Sequence, residues 1–126
     1  MSLLWTTDAI IAAMNGRPVG EMPEGGDIYD WVNNYAAQDR IVYVHMRNVR
    51  GKAPHYRESF IDDGDVDVLR MLRILRANRF EGVIIPDHTP QMSCDAPWEA
   101  GMAFALGYLK ALISVVERES SNANPF

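Results

Sequence analysis

Apolar residues recur along this chain at helical spacing in three places and as short unbroken runs in two. Ile28, Trp31, Val32 and Tyr35 fall at i, i+3, i+4 and i+7, a single helical stripe. Gly25-Gly26-Asp27 precedes them, and an acid there favours the positive end of a helix dipole. The pattern predicts a helix over 27–37. Ile41 to Val44 is a β-branched and aromatic run, predicted to be a buried strand that ends in His45-Met46-Arg47-Asn48. Val68, Leu69, Leu72 and Leu75 form the next stripe, with Arg70, Arg73 and Arg76 toward water and Asp65 or Asp67 available as cap. Asn78 to Gly82 closes that helix, and Val83-Ile84-Ile85 makes the second strand. Trp98 to Glu117 predicts a long helix with Met102, Ala105, Leu106, Leu109, Ile113 and Val116 inward.

The intervening stretches read as loops. Residues 15–26 hold four glycines and two prolines, and residues 51–64 and 86–97 lack periodicity. Ahead of them, Thr6-Thr7-Asp8 starts a short helix over 9–14. The residues from 119 to 126 are expected to fray. Both strands are apolar throughout instead of alternating, which points to a parallel sheet covered by helices. About forty residues separate them, enough for a crossover helix with a long loop before it.

Composition narrows the partners. The 126 residues are 48% hydrophobic with a formal net charge of −5. That balance suits one globular unit and argues against nucleic acid or an anionic membrane surface. The single cysteine, Cys94, excludes a disulfide framework within the chain and a cysteine-rich zinc site. No run approaches the roughly 18 apolar residues of a membrane span. The start, MSLLWTTDAII, has no basic region ahead of its apolar residues, so a cytoplasmic protein is expected.

The candidate chemistry lies where the two strands end. In parallel α/β folds, ligands collect at the C-terminal ends of strands. There the first strand delivers His45 and the second, through GVIIPDHTPQ (82–91), delivers Asp87. On neighbouring strands about 4.8 Å apart, an imidazole and a carboxylate can converge on one divalent ion. By spacing alone, His45 reads equally as a hydrogen-bonded core histidine, Asp87 as a turn residue and His88 as an exposed loop residue. Arg47 and Arg50 suit an acidic substrate or plain solvation. His55, Tyr56, Arg57 and Glu58 are open in the same way. Asp63, Asp65 and Asp67 have the alternate spacing of a calcium loop, but Val68 and Ile74 stand where its glycine and glutamate belong. That run reads as a turn and helix cap.

Four segments together resemble mannonate dehydratase, a metal-dependent sugar-acid lyase with a (β/α)8 barrel similar to xylose isomerase. They are VGEMPEGGDIY (19–29), RIVYVHMRNVRG (40–51), YRESFIDDGDVDVLRMLRILRANRFEGVIIPDHTPQM (56–92) and the weaker AGMAFALGYLKAL (100–112). The resemblance implies an α/β fold that is a C-terminal fragment of a TIM barrel, with two parallel strands and about three to four covering helices. The whole of 1–126 would then be one incomplete barrel segment: an irregular part over 1–26, the last two β/α units over 27–118, and the tail. The resemblance further implies metal ligation by His45 and Asp87, with Mn²⁺ or Fe²⁺ as cofactor. It places Arg47, Asn48 and His88 at the substrate, with Arg47 and His88 as catalytic candidates. The implied reaction is dehydration of D-mannonate to 2-keto-3-deoxy-D-gluconate in glucuronate catabolism.

Where the chain departs from the family, other readings open. Other metal ligands of the family, a histidine and a cysteine on earlier strands, have no counterpart here, and Cys94 is elsewhere. The family's last-loop tyrosine is also absent, with Trp98 nearby. A complete barrel takes about 250 residues, and open strand edges favour a homo-oligomer or a complementary barrel fragment as partner. The alternatives to mannonate turnover are an inactive relic or assembly subunit and a related sugar isomerase.

Overall fold

The computed structural model describes residues 3–5, 27–52 and 55–123. The VGEM-like segment up to residue 26 and the helix expected over 9–14 lie outside the described residues. Eight elements follow in order: β1 (Leu3–Trp5), α1 (Ile28–Ala37), β2 (Ile41–Met46), β3 (Asn48–Lys52), β4 (His55–Ser59), α2 (Val68–Ala77), β5 (Val83–Pro86) and α3 (Pro97–Ala123).

Local chemistry sets the helix boundaries. Asp27 caps α1 by accepting the Tyr29 N–H at 2.7 Å, and Asp67 caps α2 by accepting the Arg70 N–H at 2.9 Å. Both helices end alike. Asp39 (φ 54°) and Arg79 (φ 56°) take the left-handed conformation one residue past the C-cap. The Arg40 N–H then reaches back to Tyr35 C=O, and the Phe80 N–H to Leu75 C=O, each at 3.0 Å. These are Schellman stops that turn the chain directly into β2 and β5. Neither uses the glycine that position favours, at a cost of about 1–2 kcal/mol per residue. Gly82 serves a different purpose: a Cβ there would lie 2.1 Å from Val42 C=O, so only glycine lets β5 come alongside β2.

The main sheet is parallel with strand order β1-β2-β5. Its helix side carries Val44, Met46 and the partly buried Ile84. These pack with Ile28, Trp31, Val32 and Tyr35 of α1, Val68, Met71, Leu72 and Leu75 of α2, and Ala105, Leu109 and Val116 of α3. The predicted stripe of α1 is thus in the core, and so is that of α2, except that Leu69 is only partly buried and Met71, outside the predicted stripe, is buried. An exposed Arg73–Glu119 pair at 2.7 Å also ties α2 to α3. Its arginine holds the Glu119 carboxyl below the usual range through a side-chain hydrogen bond.

Several expectations are corrected. The stretch over 51–64 is not all loop: β3 and β4 form an antiparallel hairpin with Asn48 opposite Ser59 and Arg50 opposite Arg57. Only Val49 among its apolar residues is buried, so hydrophobic periodicity has little to reveal there. The sheet has three strands, not two, because Leu3–Trp5 within the supposedly irregular 1–26 pairs with β2. Helix α3 continues through Ser120 and Ser121 to Ala123, past the tail boundary at 118. Leu106 is 46% exposed, because the inward stripe of α3 runs Gly101, Ala105, Leu109 and Val116.

Nor are the strands buried on both faces. Val83 is 63% exposed and Ile85 38% exposed, because among the described residues all three helices lie on the other side of the sheet. By length and composition alone α3 could cross a membrane. Its one-sided packing against α2 and β5 is that of a helix covering a sheet.

Replacing Arg79 with glycine relieves the left-handed strain at the end of α2. Urea denaturation is expected to show a gain of about 0.5–1 kcal/mol, net of the glycine's own entropy.

Candidate active site

The site begins with the register of two strands. In the β2–β5 ladder Tyr43 lies opposite Val83, His45 opposite Ile85 and Met46 opposite Pro86. One further hydrogen bond, from the Asp87 N–H to Met46 C=O at 3.3 Å, carries the pairing past the end of β5. Side chains alternate along a strand, so His45, Ile85 and Asp87 point to the same side. That is the side away from the helices.

His45 and Asp87 meet there. His45 Nδ1 lies 3.5 Å from Asp87 Oδ1, with side-chain exposures of 33% and 18%. The neighbouring His88 brings Nε2 to 3.5 Å from Asp87 Oδ2 and is half exposed. The carboxylate therefore has an imidazole beside each oxygen. Both distances exceed a normal hydrogen bond, about 2.7–3.2 Å. Two donors that share one ion at about 2.0–2.2 Å and 90–110° stand about 2.8–3.6 Å apart, a range that includes the His45–Asp87 separation. The Tyr43 ring, 5.3 Å from the His45 ring and tilted 49° to it, supports the imidazole from the next position on that face. The donor set, neutral nitrogen and anionic oxygen, suits a borderline divalent ion. Among the described residues, no group of three or more His, Cys, Asp or Glu side chains is arranged to hold a metal. His45 and Asp87 are thus an imidazole–carboxylate pair, with His88 beside the other carboxylate oxygen.

The structure gives the other two candidates different surroundings. Arg47 is buried, 6% exposed, and its Nη1 donates to Glu58 Oε1 at 2.5 Å. Asn48, expected at the substrate, is turned inward. Its Nδ2 donates to Ile61 C=O and Val66 C=O at 2.9 Å each, and its Oδ1 accepts the Val49 and Val66 N–H groups at 3.0 Å each. An amide has two donors and two acceptor positions, so Asn48 has no capacity left for a ligand. Gly64 makes room for this knot: a Cβ there would fall 1.9 Å from Asn48 Oδ1.

Asn48 thus bolts the hairpin to the 61–66 loop, helped by Asp65, which accepts the Gly51 N–H at 2.8 Å, and by the Arg50–Asp63 pair. The three aspartates serve as turn ties and helix cap, the reading left once the calcium-loop pattern fails. Glu58 is the residue that sequence reasoning left undecided. No local pattern marks an acid eleven positions after an arginine as its partner; only the hairpin pairing does. Cys94 is exposed. A cavity of about 180 Å³ lined by Leu72, Phe80, Ile84 and Val116 lies on the helix side of the sheet, apart from His45 and Asp87.

Comparison with known proteins follows the same lines. Residues 9–122 match a family described as D-mannonate dehydratase (UxuA). Two curated relatives, mannonate dehydratases from Lactococcus lactis subsp. cremoris (strain MG1363) and subsp. lactis (strain IL1403), are each 28% identical over 67 residues. Each match covers 49% of this chain and 19% of the relative. A solved mannonate dehydratase from Streptococcus suis serotype2 superposes with a TM-score of 0.64 at 22% identity, over 75% of this chain and 29% of its own. That likeness shows the fold: the chain is a fragment of a TIM-barrel-type architecture, and it spans about a fifth of the curated relatives it matches.

Replacing Asn48 with alanine strands four buried backbone groups. It is expected to lower the unfolding free energy by about 2–4 kcal/mol in urea titration, and Gly64→Ala should act in the same direction.

Proposed function

We propose, from the premise that this chain belongs to the D-mannonate dehydratase family, that it supplies the C-terminal part of a mannonate-dehydrating barrel. The reaction is loss of water from D-mannonate to give 2-keto-3-deoxy-D-gluconate, in cytoplasmic glucuronate breakdown. One observation carries this reading: His45 and Asp87 stand 3.5 Å apart at the C-terminal ends of paired parallel strands, on the open face of the sheet.

Under this reading His45 and Asp87 would hold a Mn²⁺ or Fe²⁺ ion, with remaining ligands from outside the described residues. When bound, such an ion polarises substrate oxygens, easing proton loss beside the carboxylate and departure of hydroxide. His88 Nε2, half exposed and next to Asp87, is placed to exchange a proton with the substrate. Arg47, two positions beyond His45, supplies a charge for the substrate carboxylate. Asn48 acts behind Arg47 by fixing the hairpin. The Val83 and Ile85 face, uncovered among the described residues, calls for a cover, either a second copy of the chain or a complementary barrel fragment. A second reading, a chain whose main work is assembly, rests on the same bare face.

Two measurements test these proposals. With a complementary N-terminal barrel fragment, the chain is expected to release a keto acid from D-mannonate only when Mn²⁺ is present. Asp87→Ala or His45→Ala should lower the rate at least 100-fold, since lost ligation removes the ion. Unimpaired turnover by either variant rules out the metal assignment. Sedimentation velocity is expected to show association of the chain, weakened by Val83→Asp or Ile85→Asp. A monomer at every concentration removes the basis for the assembly reading.

A further inference from the structure

Glu58 has no part in the reaction as set out above. It stands on β4 opposite Val49 of β3, so the hairpin and not the parallel sheet carries it. From there it reaches back to the residue that follows β2, with Oε1 at 2.5 Å from Arg47 Nη1. Arg47 lies about 6.6 Å along the extended chain from His45. A guanidinium cannot shed its proton on burial and needs a fixed counter-charge. Among the described residues, the hydrogen bonding of this carboxylate goes to Arg47 alone, and its Oε2 is buried without a partner. The pair is not required to hold the hairpin, which Asn48, Asp65 and Arg50 already tie to the 61–66 loop.

We infer that Glu58 is a positioning residue: from the β3–β4 hairpin it holds the Arg47 guanidinium in register with the His45–Asp87 face, so that an anionic group of the ligand meets a pre-oriented charge. This rests on the proposed reaction for the identity of the ligand, but Glu58 itself acts only through Arg47. Glu58→Gln keeps the shape and an acceptor but removes the charge. Glu58→Asp keeps the charge on a shorter arm and can replace it should the Gln variant fail to fold.

The test uses the full chain together with the complementary barrel fragment, titrated with Mn²⁺ alone and then with D-mannonate in its presence, alongside NMR of the Arg47 Nε–Hε signal. Glu58→Gln is expected to shift or broaden that signal and to weaken D-mannonate binding about tenfold, the scale of one charge-assisted hydrogen bond. Mn²⁺ affinity should stay within twofold of wild type, and Glu58→Asp should recover most of the loss. Unchanged D-mannonate binding in Glu58→Gln overturns the inference and leaves the proposed reaction standing. Parallel loss of Mn²⁺ and D-mannonate affinity also overturns it, as the mark of a merely structural role. Wild-type chain that binds neither probe in the presence of that fragment sinks the proposed reaction, and this inference falls with it.

Discussion

The parallel pairing of β2 with β5 is the constraint from which the site follows. A carboxylate and an imidazole separated by more than forty positions in sequence come within 3.5 Å because Met46 lies opposite Pro86 and the Asp87 N–H extends the ladder by one bond. A slip of one residue would send Asp87 to the helix side, among Leu72 and Leu75, where an unpaired charge is costly to bury. The register is fixed from outside the site. Each strand emerges from a Schellman stop, and Gly82 removes the one Cβ that would push β5 off β2. The chemistry is thereby placed by backbone features with no chemical role of their own.

A second layer of control comes from the hairpin beyond β2. Its apolar content is too small for a core, and polar bonds do the work instead. Asn48 is fully satisfied by four backbone groups, and its neighbour Arg47 is held by a glutamate from the opposite strand. Consecutive residues thus make different bonds: the Asn48 amide ties backbone groups and the Arg47 guanidinium pairs with Glu58. The family resemblance pointed to both as substrate contacts. Both are buried, and hydrogen-bond capacity separates them: the Asn48 amide is fully used by backbone groups.

The bare side of the sheet belongs to the same design. In a closed barrel, inward-facing residues of neighbouring strands cover one another. Here Tyr43, Val83 and Ile85 share with His45 and Asp87 a face that has no facing layer among the described residues. This fits a chain that spans about a fifth of the curated relatives in its family.

Helices α1 and α2, their acidic caps and their core stripes were legible in the sequence, because helical spacing and N-cap chemistry are local. So was the arrival of His45 and Asp87 at strand ends. The β3–β4 hairpin was not, because its pairing is polar and long-range. The exposure of Val83 and Ile85 was not either, because an apolar run looks the same whether its outer face is covered or bare. Tertiary structure alone decided that Asn48 turns inward, that Glu58 meets Arg47, and that His45 and Asp87 stand 3.5 Å apart. Each depends on which strands pair and in what register, and no stretch of local sequence contains that information.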